Sequence, residues 1–239
     1  MDRENIKELK KKVFDANIKL AGSGLIISTF GNVSGIDRKA GMVAIKPSGI
    51  PYSNIKVDDM VLISLSGEKI EEESTNPSSD TDTHLELYRT FSSIGGVAHT
   101  HSGYATAFAQ AKMAIPCLGT THADYFYGPV PVSEVIEDSC IKSDYELETG
   151  KLIVGTFKNR DYHNMKACLV ACHGPFTWGD SPDDSVESAI MLEYIAMIAY
   201  RSISLEGAVE DIKKTLLDKH YRRKHGKDAY YGQTRKCRM

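Results

Sequence analysis

The run Gly95-Gly96-Val97-Ala98-His99-Thr100-His101 constrains this chain more than any other stretch of its 239 residues. A short apolar segment carrying histidines at i and i+2 reads as a strand, because alternate side chains of a strand share one face. Both imidazoles can then converge on one point. A second apolar run, residues 167–173, ends on His173, again where a strand gives way to a loop. Three neutral imidazoles with an open position describe a site for Zn²⁺ or a similar divalent ion. An isolated HxH is as readily one core and one surface histidine, and two ligands alone rarely hold a metal tightly. Asp80, after Pro77-Ser78-Ser79, offers an acid to the same site.

The rest of the chain reads as a single α/β domain over residues 1–239, since no repeat, low-complexity tract or linker divides it. Ile6, Leu9, Val13, Ala16 and Leu20 recur at helical spacing, and Gly22 and Gly24 close that helix. Short β-like runs follow at 25–29, 42–45 and 61–65. The polar, Pro-containing stretch 71–79 reads as a loop, and 82–91 as a helix. Gly96 to His101 forms the strand above, and Ser102 can cap a helix over 104–111. Ser181-Pro182-Asp183-Asp184 starts another helix, with Val186, Ile190, Tyr194, Met197 and Ile198 as its core face.

Charge excludes some functions and flags one segment. With 29 Lys and Arg against 32 Asp and Glu, the net −3 argues against a general nucleic-acid binder. Residues 213–239 nevertheless hold ten Lys and Arg against Asp218 and Asp228, a local +8 that leaves −11 for the remainder. That tail is either a solvated arm or a segment with a local anionic task. The longest apolar run, 189–200, is interrupted by Glu193 and is too short to cross a bilayer, and the charged N-terminus has no signal-peptide character. Five cysteines without a CxxC pair suit a reducing cytoplasm better than a disulfide framework.

Two further segments have the donors an anion needs. Gly31-Asn32-Val33-Ser34-Gly35 and Lys46-Pro47-Ser48-Gly49 combine glycines with amide, hydroxyl and ammonium groups, and Ser78-Ser79 could add hydroxyls. Neither matches a nucleotide-binding fingerprint, and each alone is more often an ordinary turn. Candidates for proton transfer are Asp124, His220, Tyr230 and Tyr231. A tyrosine needs cations or a metal nearby to work at neutral pH, because its ordinary pKa is about 10.

Taken together, GNVSGIDR, IKPSGIPY, NPSSDTDTH, SIGGVAHTHSGYAT, GTTHADYFYG, ACHGPFTWG and LLDKHYRRKHGKDAYYGQ resemble the class II (metal-dependent) aldolase/epimerase family, in the branch that epimerises C4 of ketopentose 5-phosphates. The matching stretches run in order from residue 31 to residue 233. The resemblance implies a three-layer α/β/α fold around a largely antiparallel sheet. It implies Zn²⁺ on His99, His101 and His173, with Asp80 beside it. Gly31, Asn32, Lys46, Ser48, Gly49, Ser78 and Ser79 match sugar-phosphate contacts, Asp124 and Tyr231 an acid/base pair, and His220 its support. A C4 homotetramer with active sites between subunits is also implied, the basic tail completing a neighbour's site. Two alternatives stay open: a sister sugar-phosphate aldolase, whose relatives carry Glu where Asp80 stands, and a non-enzymatic binding module like the adducin head. Residues 234–239 lie beyond the matching stretches.

Overall fold

The computed structural model describes residues 3–71, 75–227 and 229–231. Residues 72–74, Asp228 and the end of the tail, 232–239 with Gln233 and Cys237, lie outside the described residues. Among the described residues the helices are α1 (Arg3–Gly22), α2 (Thr81–Thr90), α3 (Gly103–Gln110), α4 (Thr120–Ala123), α5 (Asp138–Ile141), α6 (Tyr145–Thr156), α7 (Pro182–Glu206) and α8 (Lys214–His225). The strands are β1 (Asn32–Asp37), β2 (Met42–Ile45), β3 (Val61–Ser64), β4 (Gly96–His99), β5 (Ala167–Leu169) and β6 (Pro175–Gly179). They form one sheet in the order β3-β2-β1-β4-β6-β5, every neighbouring pair antiparallel.

The two-residue period of these strands sorts the core into layers. Val43, Ile45, Val61, Ile63 and Val97 pack with Leu85, Tyr88 and Ile153 of α2 and α6 on one face. The alternate residues Ala44 and Leu62 pack under Leu9 and Val13 of α1, and Val33 and Ala98 under Ala16, Leu20, Val186 and Ala189 of α1 and α7. The fold is therefore the expected three-layer α/β/α arrangement. Fully buried Trp178, Phe176, Tyr88 and Phe126 anchor it, each such side chain contributing roughly 1.5–3 kcal/mol. Antiparallel register sets Asn32 opposite His99, and His99 opposite Phe176. Three residues from three strands thus meet at one end of the sheet.

Several local expectations need correcting. Residues 25–29 form no strand: Ser28 takes φ +59°, Ile27 is 66% exposed, and the sheet position is filled by β1 instead. β1 passes for an anion loop in the sequence because its Asn32, Ser34 and Gly35 are small or polar. Its Ser34 turns to packing partners, the Oγ bonding His84 Nδ1 (2.7 Å) and Tyr88 Oη (2.9 Å), while the buried Asn32 Oδ1 has no partner among the described residues. β4 ends at His99, two residues early, and β5 ends at Leu169. A turn through Cys172 at φ +63° then leads into β6, where Pro175 is tolerated as a first residue that lacks an N–H.

Helix starts and faces also differ in part. Ser181 caps α7 as expected, accepting from Asp184 N at 3.2 Å. Ser102 precedes α3 without a side-chain cap bond; the Glu193 carboxylate of α7 accepts from Tyr104 N (2.7 Å) and Ala105 N (2.9 Å) instead. The face that α7 buries runs through Ser185, Val186, Ala189, Leu192, Ala196 and Ala199, whereas Tyr194 is half-exposed and Ile190, Met197 and Ile198 are only partly covered. Small residues let this helix lie close to the sheet, with Val186, Leu192 and Ile195 the larger side chains that it buries. At 25 residues α7 is long and apolar enough to cross a membrane, unlike the shorter run read from the sequence, yet it packs against β4, β6, α1 and α3.

Candidate metal centre

His99 closes β4 almost fully buried, and its Nδ1 lies 3.0 Å from the carbonyl oxygen of Pro175. A carbonyl only accepts, so Nδ1 carries the proton and donates, which leaves the lone pair on Nε2. Among the described residues that buried Nε2 has no hydrogen-bond partner. An orphaned buried acceptor costs about 1–3 kcal/mol, which a bound cation would offset. The Phe176 ring stacks on the imidazole at 4.2 Å and fixes its plane.

His101, two residues on, and His173, after the Cys172 turn, complete a triangle. Ring centroids are separated by 4.9 Å (His99–His101), 4.7 Å (His99–His173) and 5.0 Å (His101–His173). One ligand atom from each falls within 4.8 Å of the other two. Burial lowers the pKa of His101 and pushes that of His173 down to about 4, with His99 adding to both. Neutral imidazoles with converging lone pairs are the donor set that a divalent metal requires, so these residues fit such an ion.

Asp80 stands beside the triangle rather than within it. Its Oδ2 accepts from Asn32 Nδ2 at 2.6 Å, and the same amide reaches Ser78 Oγ at 2.9 Å. Burial raises the Asp80 pKa, but His99, His84 and the Asn32 bond outweigh it, and the carboxyl sits below its ordinary range. The anion segments arrive on two paired loops. Pro47 bridges Pro77, Ser48 N donates to Asn76 O (2.9 Å), and Ser78 N donates to Lys46 O (3.0 Å). Gly31 is required where it stands: at φ +85° a Cβ would lie 2.6 Å from Ile26 Cδ1 and 2.9 Å from His99 O.

A cavity of about 390 Å³ gathers these groups. Its wall includes Gly31, Asn32, Lys46, Ser48, Gly49, Ser78, Ser79, Asp80 and the three histidines, so the metal residues and the anion residues other than Val33, Ser34 and Gly35 line one space. The Lys46 amine is buried, which lowers its pKa, and lies 4.7 Å from the Tyr52 ring centroid. Four lining residues escaped the sequence reading as site residues, Thr29 among them. Tyr145 Oη approaches His173 Nδ1 at 3.4 Å, Glu146 follows it, and Phe30 stacks on His101 at 5.5 Å. Only the position of Phe30 beside Gly31 could have pointed to any of them.

The remaining candidates meet elsewhere. Asp124, at the end of α4, accepts from His220 Nδ1 (3.1 Å), Arg223 Nε (3.1 Å) and Arg223 Nη2 (2.6 Å), all from α8. Burial raises its pKa, but Arg223 and His220 prevail and hold it below the ordinary carboxylate range. Gly226 ends α8, and Tyr230 N and Tyr231 N both return to donate to Arg223 O. Tyr231 therefore lies under the Arg223 guanidinium, 4.4 Å from its ring centroid, with Lys224 Nζ at 5.4 Å. None of Asp124, His220, Tyr230 and Tyr231 lines the histidine cavity of the same chain. Arg223 was counted in the basic tail but not singled out; its spacing of three from His220 places both on one face of α8.

The sequence pattern of the Class II Aldolase and Adducin N-terminal domain matches residues 11–200. Among solved structures, an L-fuculose 1-phosphate aldolase is similar at 25% identity with a TM-score of 0.74, covering 90% of this chain and 95% of the other. YgbL of Klebsiella pneumoniae, described as a putative aldolase/epimerase/decarboxylase, is similar at 20% identity and TM-score 0.70, covering 90% and 98%. The L-fuculose 1-phosphate aldolase from Glaciozyma antarctica PI12 follows at 18% and 0.72, covering 91% and 82%. At those lower identities the likeness is one of fold.

Proposed function

The chain belongs to the class II aldolase and adducin N-terminal domain family, and on that premise we propose that it is an L-ribulose-5-phosphate 4-epimerase, interconverting L-ribulose 5-phosphate and D-xylulose 5-phosphate. C4 of such a ketose is not adjacent to the carbonyl, so its hydrogen is hard to abstract. Breaking the C3–C4 bond by retro-aldol cleavage and re-forming it on the other aldehyde face avoids that step. Zn²⁺ on His99, His101 and His173, with Asp80 beside it, would supply Lewis-acid stabilisation of the negative charge that cleavage leaves on the C2 and C3 oxygens. Asn32, Lys46, Ser48, Ser78, Ser79 and the backbone at Gly31 and Gly49 would hold the phosphate-bearing fragment while its aldehyde turns over.

The C4 oxygen loses and regains a proton from opposite sides, which needs two protic groups. The observation that carries this reading is the gathering of Asp124, His220 and Tyr231 into one cluster under Arg223. We assign the Asp124–His220 pair to one face and the Tyr231 phenol to the other. Because this cluster does not line its own chain's cavity, we assign it to the cavity of a neighbouring subunit in a C4 homotetramer. The basic segment from residue 213 then completes that site, and the setting we propose is the cytoplasm.

A sugar-phosphate aldolase is the second reading, favoured by the 25% identity to an L-fuculose 1-phosphate aldolase. Against it stands the short acid: Asp80, tied to Asn32, reaches less far toward the enediolate carbon than a glutamate would, which favours re-addition over release. An adducin-like binding module has no use for the neutral histidine triangle. The deciding assay incubates Zn²⁺-loaded protein with L-ribulose 5-phosphate and follows D-xylulose 5-phosphate. Stoichiometric dihydroxyacetone and glycolaldehyde phosphate without epimer would make the protein an aldolase, and no conversion of either kind would reject catalysis on this substrate.

A further inference from the structure

Lys46 is almost fully buried, yet its Nζ makes a single hydrogen bond, 3.3 Å to the Pro47 carbonyl oxygen, and among the described residues no carboxylate pairs with it. An ammonium carries three N–H groups, so two of them have no acceptor among the described residues. Taking an unpaired cation out of water is costly, and the group needs compensation close by. The compensation in reach is the Tyr52 ring. Its centroid lies 4.7 Å from Nζ, inside the range where the negative face of an aromatic ring attracts a cation.

Tyr52 is not part of the cavity wall. Its ring packs on the cluster that holds Leu9, Ala44, Ile55 and Met60, and its hydroxyl donates to the Gly31 carbonyl oxygen at 2.9 Å. Burial raises the phenol pKa, so the group keeps the proton that this bond uses. The β1–β2 ladder has its last pair at Ser34 and Ile45; beyond it, among the described residues, the segments 29–32 and 46–49 line the cavity without pairing to each other. One side chain outside the cavity therefore ties both segments, by its ring to Lys46 and by its hydroxyl to Gly31. A trans peptide points its N–H opposite to its C=O, so the same bond fixes the direction of the Asn32 N–H.

Resting on the reading of this cavity as a sugar-phosphate site, we infer that Tyr52 is the positioning residue that sets its affinity for a phosphate group. The ring holds the Lys46 ammonium in place before an anion arrives, with two N–H groups left to offer. The hydroxyl fixes the Gly31–Asn32 peptide on the neighbouring segment. Donors ordered in advance bind an anion more tightly than donors that must be ordered by it. The two actions are separable, because the ring acts without the hydroxyl. Tyr52→Phe removes the tether alone, whereas Tyr52→Leu removes both the tether and the aromatic face.

Calorimetric titration of the full-length, Zn²⁺-loaded protein with inorganic phosphate tests this, with Zn²⁺ affinity measured on the same variants. Tyr52→Leu should weaken phosphate binding by about 10–100-fold, and Tyr52→Phe, which returns the ring, should limit the loss to about 3–10-fold. Zn²⁺ affinity should hold in both, because Tyr52 positions the anion donors and not the imidazoles. Lys46→Met should bind phosphate at least as weakly as Tyr52→Leu; if it binds like wild type, the phosphate sits on the metal and the inference falls. With L-ribulose 5-phosphate as substrate, the loss in the Tyr52 variants should fall on KM more than on kcat. Wild-type phosphate affinity in either Tyr52 variant overturns the assignment, as does a wild type that binds no phosphate. A parallel loss of phosphate and Zn²⁺ affinity would reduce Tyr52 to a structural residue and overturn it too. Should Tyr52→Leu fail to fold, Tyr52→Phe, which keeps the packed ring, decides alone. The titration needs no turnover: a protein that does not epimerise yet shows this order loses the epimerase reading alone, and one that epimerises without it loses this inference alone.

Discussion

Replacing Gly31 with alanine tests whether the backbone at the cavity is as tightly fixed as its contacts imply. Two costs are built into the position. Its φ of +85° lies in the left-handed region, which costs an L-residue about 1–2 kcal/mol. The added methyl would also lie 2.6 Å from Ile26 Cδ1 and 2.9 Å from His99 O. The isoleucine tip can move, but the carbonyl belongs to the β4 terminus that carries the first histidine, so overpacking adds roughly 1–3 kcal/mol. A less flexible unfolded chain returns about 0.4–1 kcal/mol, which leaves a net loss of about 1–5 kcal/mol. Gly41, at φ +65° with nothing within 4 Å of the methyl that alanine would add, serves as control and should lose only about 1 kcal/mol. Urea unfolding of the metal-free proteins measures both. Zinc titration of the folded variants should show at least tenfold weaker binding for Gly31→Ala, because its clash falls on the residue bearing a metal donor. If the two variants match each other in stability and both bind Zn²⁺ like wild type, the close approach at Gly31 carries no strain and the reasoning fails.

Acid should destabilise the fold before any carboxylate titrates. Burial pushes His84 down to about 3 and His122 to about 4, so both fold as neutral imidazoles while the unfolded chain protonates them near 6.5. Their contribution is intact above about pH 6.5 and is lost as pH falls toward 4, with a slope approaching about 1.4 kcal/mol per pH unit for each. Urea midpoints from pH 7.5 to 4.5 should fall accordingly, and a flat series would refute the assignment. Glu193→Ala should cost about 1–2 kcal/mol by uncapping α3, while Ser102→Ala should be nearly neutral; the reverse ranking in urea unfolding would show that the serine is the working cap.

What could be read from the residues, and what could not, divides along physical lines. Strand β2 was legible to its ends because each of its four residues obeys the buried pattern of the sheet. β1 was hidden because its Val33 N–H and Ser34 hydroxyl are satisfied by distant partners, Asn17, His84 and Tyr88, which no local window contains. The run at 25–29 failed the opposite way, since β-branched residues report propensity and not the positive φ at Ser28. The metal and anion residues were visible through spacing and donor chemistry, and they meet in one cavity. Tyr145 and Glu146 reach that cavity only through tertiary contact. Glu193 shows the same limit: it reads as a break in an apolar run, yet its carboxylate is the start signal of a helix about ninety residues earlier.

The proposed division of one active site between the histidine cavity of one subunit and the Asp124–Tyr231 cluster of the next has a genetic consequence. A lesion in one cluster leaves the other chemically intact, so two separately inactive alleles, His99→Asn and Tyr231→Phe, should complement when their products are refolded together. Mixed assemblies would contain junctions that pair an intact cavity with an intact tail. Co-expression would then recover a fraction of wild-type turnover that neither parent possesses, and inheritance at this locus would follow the arrangement of subunits and not the sum of defects.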